Sequence, residues 1–271
     1  MPSAVKKILS IGALIAGAGL WNCAPIVVAE LSWKELKGNH FVLYYEEASD
    51  EALANQVLNR AEDYYRKIDG QIGYSRYTET WTWEERVKIF IFKDQKSFQE
   101  YTGQPTWSHG LAHSGKEIFG SRVIITYRQN KEFLDGILPH EISHLILHDF
   151  VGNKIPLWFD EGVAQLQEAD KMVKARAIMR SVVKKGKHIP FKVMNRWDIR
   201  SESDSQVVAV FYAQSACVVE FLIKNYGISV FQQICRGLRE GKKFEDTLQS
   251  ASAHSVNSLA DLEKKWVMSM Q

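Results

Sequence analysis

The sequence predicts an α+β fold: a small mixed sheet with helices in an N-terminal lobe, an all-helical C-terminal lobe, and a cleft between the two. Three observations carry this expectation. Short runs rich in β-branched and aromatic residues recur as far as residue 127. From Lys131 onward the apolar period becomes helical and strand signals nearly vanish. No internal repeat and no Pro- or Ser-rich linker separates the two parts, so they are expected to pack as one unit. At 271 residues, 45% of them hydrophobic and with ordinary Gly and Pro contents, the chain can bury a sizeable core; collagen-like, low-complexity and disordered classes are excluded.

Residues 1–29 read as an address. Lys6 and Lys7 precede an uncharged run over 8–21 rich in Ala, Gly, Ile and Leu, and no acidic residue occurs before Glu30. A basic start, an apolar stretch and small residues beyond it are the parts of a secretory signal, with cleavage expected after Ala29. Two other attachments stay open. Residues 8–29 approach the ~20 that span a bilayer, which would make an uncleaved anchor. Cys23 could carry a lipid, although Trp21 and Asn22 stand where lipoprotein signals favour small residues. Removing this segment lowers the 34 basic side chains by two, to match the 32 acidic ones. That balance argues against nucleic acid or an anionic membrane surface as a partner. The expected location is exported: periplasmic, envelope or extracellular.

The expected divisions beyond the signal are a mixed lobe over 30–130 and a helical lobe over 131–271. HFVLYYE at 40–46 reads as a strand, followed by a helix over 49–69 with Ser49 as N-cap and Gly70 just past its end. RVKIFIF at 86–92 is a second strand, and Asp94 caps a short helix reaching about Tyr101. Residues 102–120, rich in Gly, Ser, His and Trp, read as a loop, and RVIITY at 122–127 as a further strand. Helices are expected over 139–150, 157–169, 171–185, 206–226, 228–239 and 255–269, the last with Leu259, Leu262, Trp266 and Met270 as a packing stripe. Cys217 and Cys235 flank Gly227, either as a disulfide between antiparallel helices or as two buried core residues. Trp81, Trp83, Trp107, Tyr74 and Tyr77 could line a groove or pack between the lobes.

The strongest chemical signal is His140-Glu141-Ile142-Ser143-His144. On a helix, positions i and i+4 share a face about 6 Å apart along the axis, so both imidazoles can reach one metal ion. Glu141 can direct its carboxylate to a water there and act as general base. Chance alone yields such a pattern in a chain of this composition on the order of one time in a hundred. A catalytic zinc site needs a third protein ligand and a position left for water. His148 continues the series but lies about 12 Å along the axis from His140, too far to share its metal. The segment IPLWFDEGVA at 155–164 supplies Glu161, about one turn inside a helix that Pro156 can start. Gln165 would share its face and could orient a ligating imidazole. Glu168, taken alone, is an ordinary solvated helix residue.

HEISH followed by PLWFDEGVAQ resembles the gluzincin metallopeptidases, in particular the peptidase-MA-like group. The resemblance is specific over about residues 120–170. It implies a zincin-like fold, one Zn2+ held by His140, His144 and Glu161, Glu141 as catalytic base, and a peptide or protein substrate. Two departures stand out. Only sixteen residues separate His144 from Glu161, so the connection is short. The Gly-x-Met-Glu-Asn segment that binds the free amine in related aminopeptidases is absent, which speaks against aminopeptidase activity. The resemblance also implies that the strand at 122–127 forms the upper edge of the cleft, where an extended peptide could add. Tyr212 is the candidate hydrogen-bond donor to the transition state, with packing in the core as the other reading of that residue; His109 and His113 are alternatives. The rival function is a catalytically silent zincin-like module that holds an envelope or extracellular partner in the same cleft.

Overall fold

A computed structural model of the protein describes residues 33–46, 50–74, 85–103, 111–113, 122–128, 130–152 and 154–271. The sequence-based expectations for 1–29, Cys23, Ser49, Tyr77, Trp81, Trp83, Trp107 and His109 fall outside these residues. Among them, β1 (Lys34–Lys37), β2 (Phe41–Tyr45), β3 (Val87–Phe92), β4 (Leu111–His113) and β5 (Val123–Tyr127) form a five-stranded sheet in the order β1-β2-β3-β5-β4. β2, β3 and β5 are parallel, with Leu43 opposite Ile89 and Ile89 opposite Ile124. β1 and β4 run antiparallel along the two edges.

Successive strand residues point to opposite faces, and here both faces are apolar and covered. Phe41, Leu43, Ile89, Ile91 and Ile124 pack with Ala54, Val57, Ala61 and Ile68 of α1 (Glu51–Ile72) in the main core. Phe90, Phe92, Val123, Ile125 and Tyr127 face the other way, against Phe98 of α2 (Gln95–Thr102) and Trp33. Asp94 caps α2 as expected, its side chain accepting from the Ser97 N–H at 2.7 Å.

The front part departs from expectation in three places. β4 lies inside the segment read as a loop; three residues are too few to show an alternation. Because β4 pairs with β5, Leu111 opposite Ile125, the strand at 123–127 is interior and is not the cleft edge. The helix expected to stop before Gly70 continues to Ile72 and ends at Gly73, whose φ of +78° suits glycine. Ile68 and Ile72 are both buried, so the apolar face extends one more turn past Gly70. Tyr74 packs rather than lining a groove: it is buried, and its hydroxyl donates to Asp149 at 3.1 Å.

Beyond Tyr127 the described residues are helical. A π-helical turn (Phe133–Ile137) leads into α3 (Leu138–Val151), then α4 (Leu157–Gln165), α5 (Lys171–Lys184), the short α6 (Phe191–Met194) and a 3-10 turn (Ile199–Ser201). α7 (Ser205–Tyr226), α8 (Ile228–Arg239), α9 (Phe244–Ala251) and α10 (Leu259–Met270) complete the lobe. α6 and α9 are too short to announce themselves by period. α7 is long and apolar enough to cross a membrane by composition. Its apolarity has another cause: Phe211, Ala216, Cys217, Val218, Val219 and Leu222 are buried around its circumference as the central helix of the lobe. Cys217 on α7 and Cys235 on α8 are both buried free thiols. Burial pushes the Cys217 thiol up to about 12 and that of Cys235 well above its ordinary value. The α10 stripe buries Leu259, Leu262 and Trp266.

One close approach fixes α4 against α7. A Cβ added at Gly162 would stand 2.5 Å from the Ser215 carbonyl oxygen and 2.7 Å from Val219 Cγ2. Both are inside van der Waals contact, and the first is backbone that cannot swing away. Gly162→Ala is therefore expected to destabilise the protein by about 1–3 kcal/mol, which lowers Tm by roughly 2–4 °C per kcal/mol in a chain of this size. A calorimetric scan that finds Tm unchanged within about one degree would contradict the close approach.

Candidate metal centre

Ile142, Leu145, Ile146 and Leu147 bury α3 in the core, which leaves His140, Glu141, His144 and His148 on its remaining side, toward α4. α4 is held by its own apolar residues. Trp158 and Phe159 are buried, and the Trp158 indole N–H donates to Asn195 at 3.1 Å. The consecutive carboxylates of Asp160 and Glu161 are thus presented to the α3 imidazoles from a fixed backbone.

Each of the two motif histidines is tied by Nδ1. His140 Nδ1 lies 2.9 Å from Glu168 Oε1, and His144 Nδ1 lies 2.8 Å from Asp160 Oδ1. A carboxylate only accepts, so Nδ1 carries a proton in both rings and the two Nε2 atoms are turned to one place. There the Nε2 atoms stand 3.0 Å apart, and each is 3.8 Å from Glu161 Oε2. Ligand atoms of His140, His144 and Glu161 all fall within 4.8 Å of one another. Two borderline nitrogen donors and one carboxylate, with an open cleft beside them, are a donor set that suits zinc. His144, His148 and Asp160 form a second close group. Its contacts are of hydrogen-bond length, with His148 Nε2 donating to Asp160 Oδ2 at 2.7 Å, so Asp160 serves as a tether between two imidazoles.

The electrostatics point the same way. Burial opposes charge on His144, but the hydrogen bond and charge of Asp160, with Glu161 and Glu141 behind them, outweigh it and push its pKa up to about 9. Burial would likewise raise Asp160, yet the bonds from His144 and His148 hold it well below the usual carboxylate range. Burial is the main cause that raises Glu161, reinforced by the charges of Asp160 and Glu141 and opposed by the two imidazoles. Glu168 is lowered despite burial, by His140 and by Lys171, whose ammonium lies 3.1 Å away. A cluster of carboxylates around two imidazoles draws in positive charge.

The structure brings His140, Glu141, His144, Glu161 and Tyr212 to the walls of one cleft of ≈ 690 Å³. Tyr212 comes from α7 and is half-buried, with its pKa raised by burial and then by the Glu161 charge. Gln165 also lines the cleft, but the carboxylates that orient the imidazoles are Asp160 and Glu168. Sequence reasoning missed both. Asp160 was visible as the neighbour of Glu161. Glu168 was hidden because the helix expected to reach residue 169 ends at Gln165. The chain then turns, with Gln167 and Glu168 N–H groups bonded to Ala164 and Gln165 and the Ala169 N–H to the Asp135 carbonyl of the π-helical turn at 2.8 Å. Glu168 is thereby carried back to His140, and it is no ordinary solvated residue. His113 lies on β4.

A folded-state pKa above the usual ~6.5 makes His144 stabilising below about 6.5, with that contribution lost as pH rises through about 9. In protein stripped of metal with a chelator, an NMR titration of the imidazole nitrogens should show one histidine titrating near 9. Asp160→Asn removes the main raising charge, leaves burial to act, and should move that titration down by more than about one unit. A His144 titration at the same pH in both proteins would contradict the assignment.

Comparison with known proteins places the chain. No curated protein matches it. Among solved structures, native yeast LTA4 hydrolase is similar in fold, with a TM-score of 0.50 at 13% sequence identity over 87% of this chain. The match spans 39% of the hydrolase, so this chain corresponds to about two fifths of that protein. The likeness extends to the zincin-like arrangement of a small mixed sheet followed by a helical part. Residues 74–270 match the family described as the peptidase MA superfamily. That span contains both motifs and most of the described chain, and on this ground the protein belongs to the peptidase MA superfamily of metallopeptidases.

Proposed function

We propose that the protein is a zinc-dependent peptidase of the gluzincin type, in which His140 Nε2, His144 Nε2 and the Glu161 carboxylate hold one zinc ion and Glu141 is the general base. The observation that carries this reading is the convergence of those three groups, with each imidazole tethered through Nδ1 by its own carboxylate. Zinc bound by this donor set would supply Lewis acidity and lower the pKa of water toward ~7.

The chain's own residues do the rest. Glu141 follows the first ligand directly and lines the cleft, where its carboxylate removes a proton from the attacking water and can return it to the leaving amine. Asp160 and Glu168 keep both imidazoles in one tautomer and one orientation. Tyr212 keeps its proton at neutral pH, because burial and the Glu161 charge raise its pKa. Its hydroxyl then donates to the carbonyl oxygen as negative charge develops there. The substrate is a peptide or protein. The missing Gly-x-Met-Glu-Asn segment supports an activity other than aminopeptidase, and the basic and apolar start of the chain supports export.

Glu141→Gln should abolish peptide cleavage, with a loss of about 10²–10⁴-fold in kcat, while one equivalent of zinc remains bound. His140→Ala should lose the zinc itself. Metal analysis beside an unbiased peptide-cleavage assay reads both. Zinc retained with no Glu141-dependent cleavage of any peptide would leave a metal-binding module and overturn the peptidase reading. Tyr212→Phe should lower kcat by about 10²-fold with little change in KM. Equal kcat in Tyr212→Phe and wild type would return Tyr212 to a packing role.

A further inference from the structure

We infer that the cleft selects substrates bearing a carboxylate, which Lys174 binds, with an apolar substrate residue two positions away seated on Ile178. This rests on the peptidase reading and names the substrate class of the same site. α5 supplies one wall of the cleft through Lys171, Lys174, Ala175 and Ile178, the i, i+3, i+4, i+7 face of the helix. The charges along that wall differ in their partners. Lys171 is neutralised by Glu168 at 3.1 Å. Arg200, whose charge is felt by Tyr212, is held by Asp198 through two bonds of 2.7 and 2.6 Å. Lys174 is exposed, and among the described residues lining the cleft it is the cation outside any ion pair.

The spacing adds a second constraint. Ile178 is 41% exposed, and of the five exposed large apolar side chains among the described residues it is the one that lines the cleft, one turn beyond Lys174. Four residues of helix advance about 6 Å. Alternate side chains of an extended peptide lie about 6.5–7 Å apart on one side. A strand-like substrate running along α5 therefore sets a carboxylate against the Lys174 ammonium and an apolar side chain against Ile178 in the same register. A basic substrate side chain at the first position meets like charge instead.

The test uses the full-length chain loaded with zinc and peptides identical except for Glu, Gln or Lys at one position two residues from a Leu, each made with a free and an amidated C-terminus. The Glu peptides should be cleaved with about tenfold higher kcat/KM than the Lys peptides. The difference should lie in KM and shrink as salt is raised from low ionic strength. Lys174→Glu should reverse the order, whereas Lys184→Glu, exposed at the end of the same helix outside the cleft, should leave it. A Glu-over-Lys preference that survives amidation assigns the carboxylate to a side chain; Glu, Gln and Lys peptides that are equal to one another but lose kcat/KM on amidation assign it to the substrate terminus. Equal kcat/KM across all the peptides, free and amidated alike, in wild type, or an order unmoved by Lys174→Glu, overturns the inference. Calorimetric binding of the same peptides to Glu141→Gln reads the preference without turnover. Should no peptide be cleaved, this binding arm still decides for or against Lys174 while the peptidase reading fails separately.

Discussion

The Asp160 carboxylate, which accepts from His144 Nδ1 at 2.8 Å and from His148 Nε2 at 2.7 Å, is the contact on which the geometry of the cleft depends. It joins α3 to α4 through two imidazoles one turn apart, and so fixes both the distance and the rotation between those helices. With Nδ1 of His144 committed, Nε2 has one direction left to face. Glu168 does the same for His140 from the turn after α4. The short connection between the two motifs then becomes an advantage, because α4 is brought back while α3 still presents its polar side. Removing one partner of such a buried charged group leaves the other uncompensated, which is costlier than never having built the pair.

Packing supplies the frame that keeps this contact in place. The parallel strands β2, β3 and β5 bury one face in the core they share with α1, and α1 packs in turn on α3, so the motif helix is backed by that core. α4 is pressed onto α7 at Gly162, where no side chain intervenes. The same α7 then brings Tyr212 to the cleft that Glu161 lines. The polar site therefore rests on the apolar packing that holds α3 and α4 in place.

Much of this was legible in the sequence, and what was hidden has physical causes. HEISH shows its geometry directly, because helix period alone brings His140 and His144 to one face. Glu161 needed the second motif, since the sixteen residues between His144 and Glu161 carry no period that reports on distance. β4 and α6 are shorter than one cycle of any pattern that would reveal them. Gly70 misled as a stop signal because the burial of Ile72, a tertiary effect, carries α1 onward to Gly73. Glu168 was misplaced for the same kind of reason: the turn that returns it is held by a bond from Ala169 to Asp135, and nothing local to the sequence announces that partner. β5 was expected at the edge from the resemblance; a strand's neighbours depend on pairing, and its partner β4 lay in the Gly- and His-rich stretch read as a loop.

The direct test of the account is the metal environment itself, read by X-ray absorption on the full-length chain after zinc loading and removal of excess metal. The account predicts one zinc per chain surrounded by nitrogen and oxygen at about 2.0–2.2 Å, with imidazole scattering that fits two histidines and no sulfur contribution. Absence of bound zinc, or a spectrum that requires one histidine or three, would contradict the arrangement of His140, His144 and Glu161 on which the proposed chemistry stands.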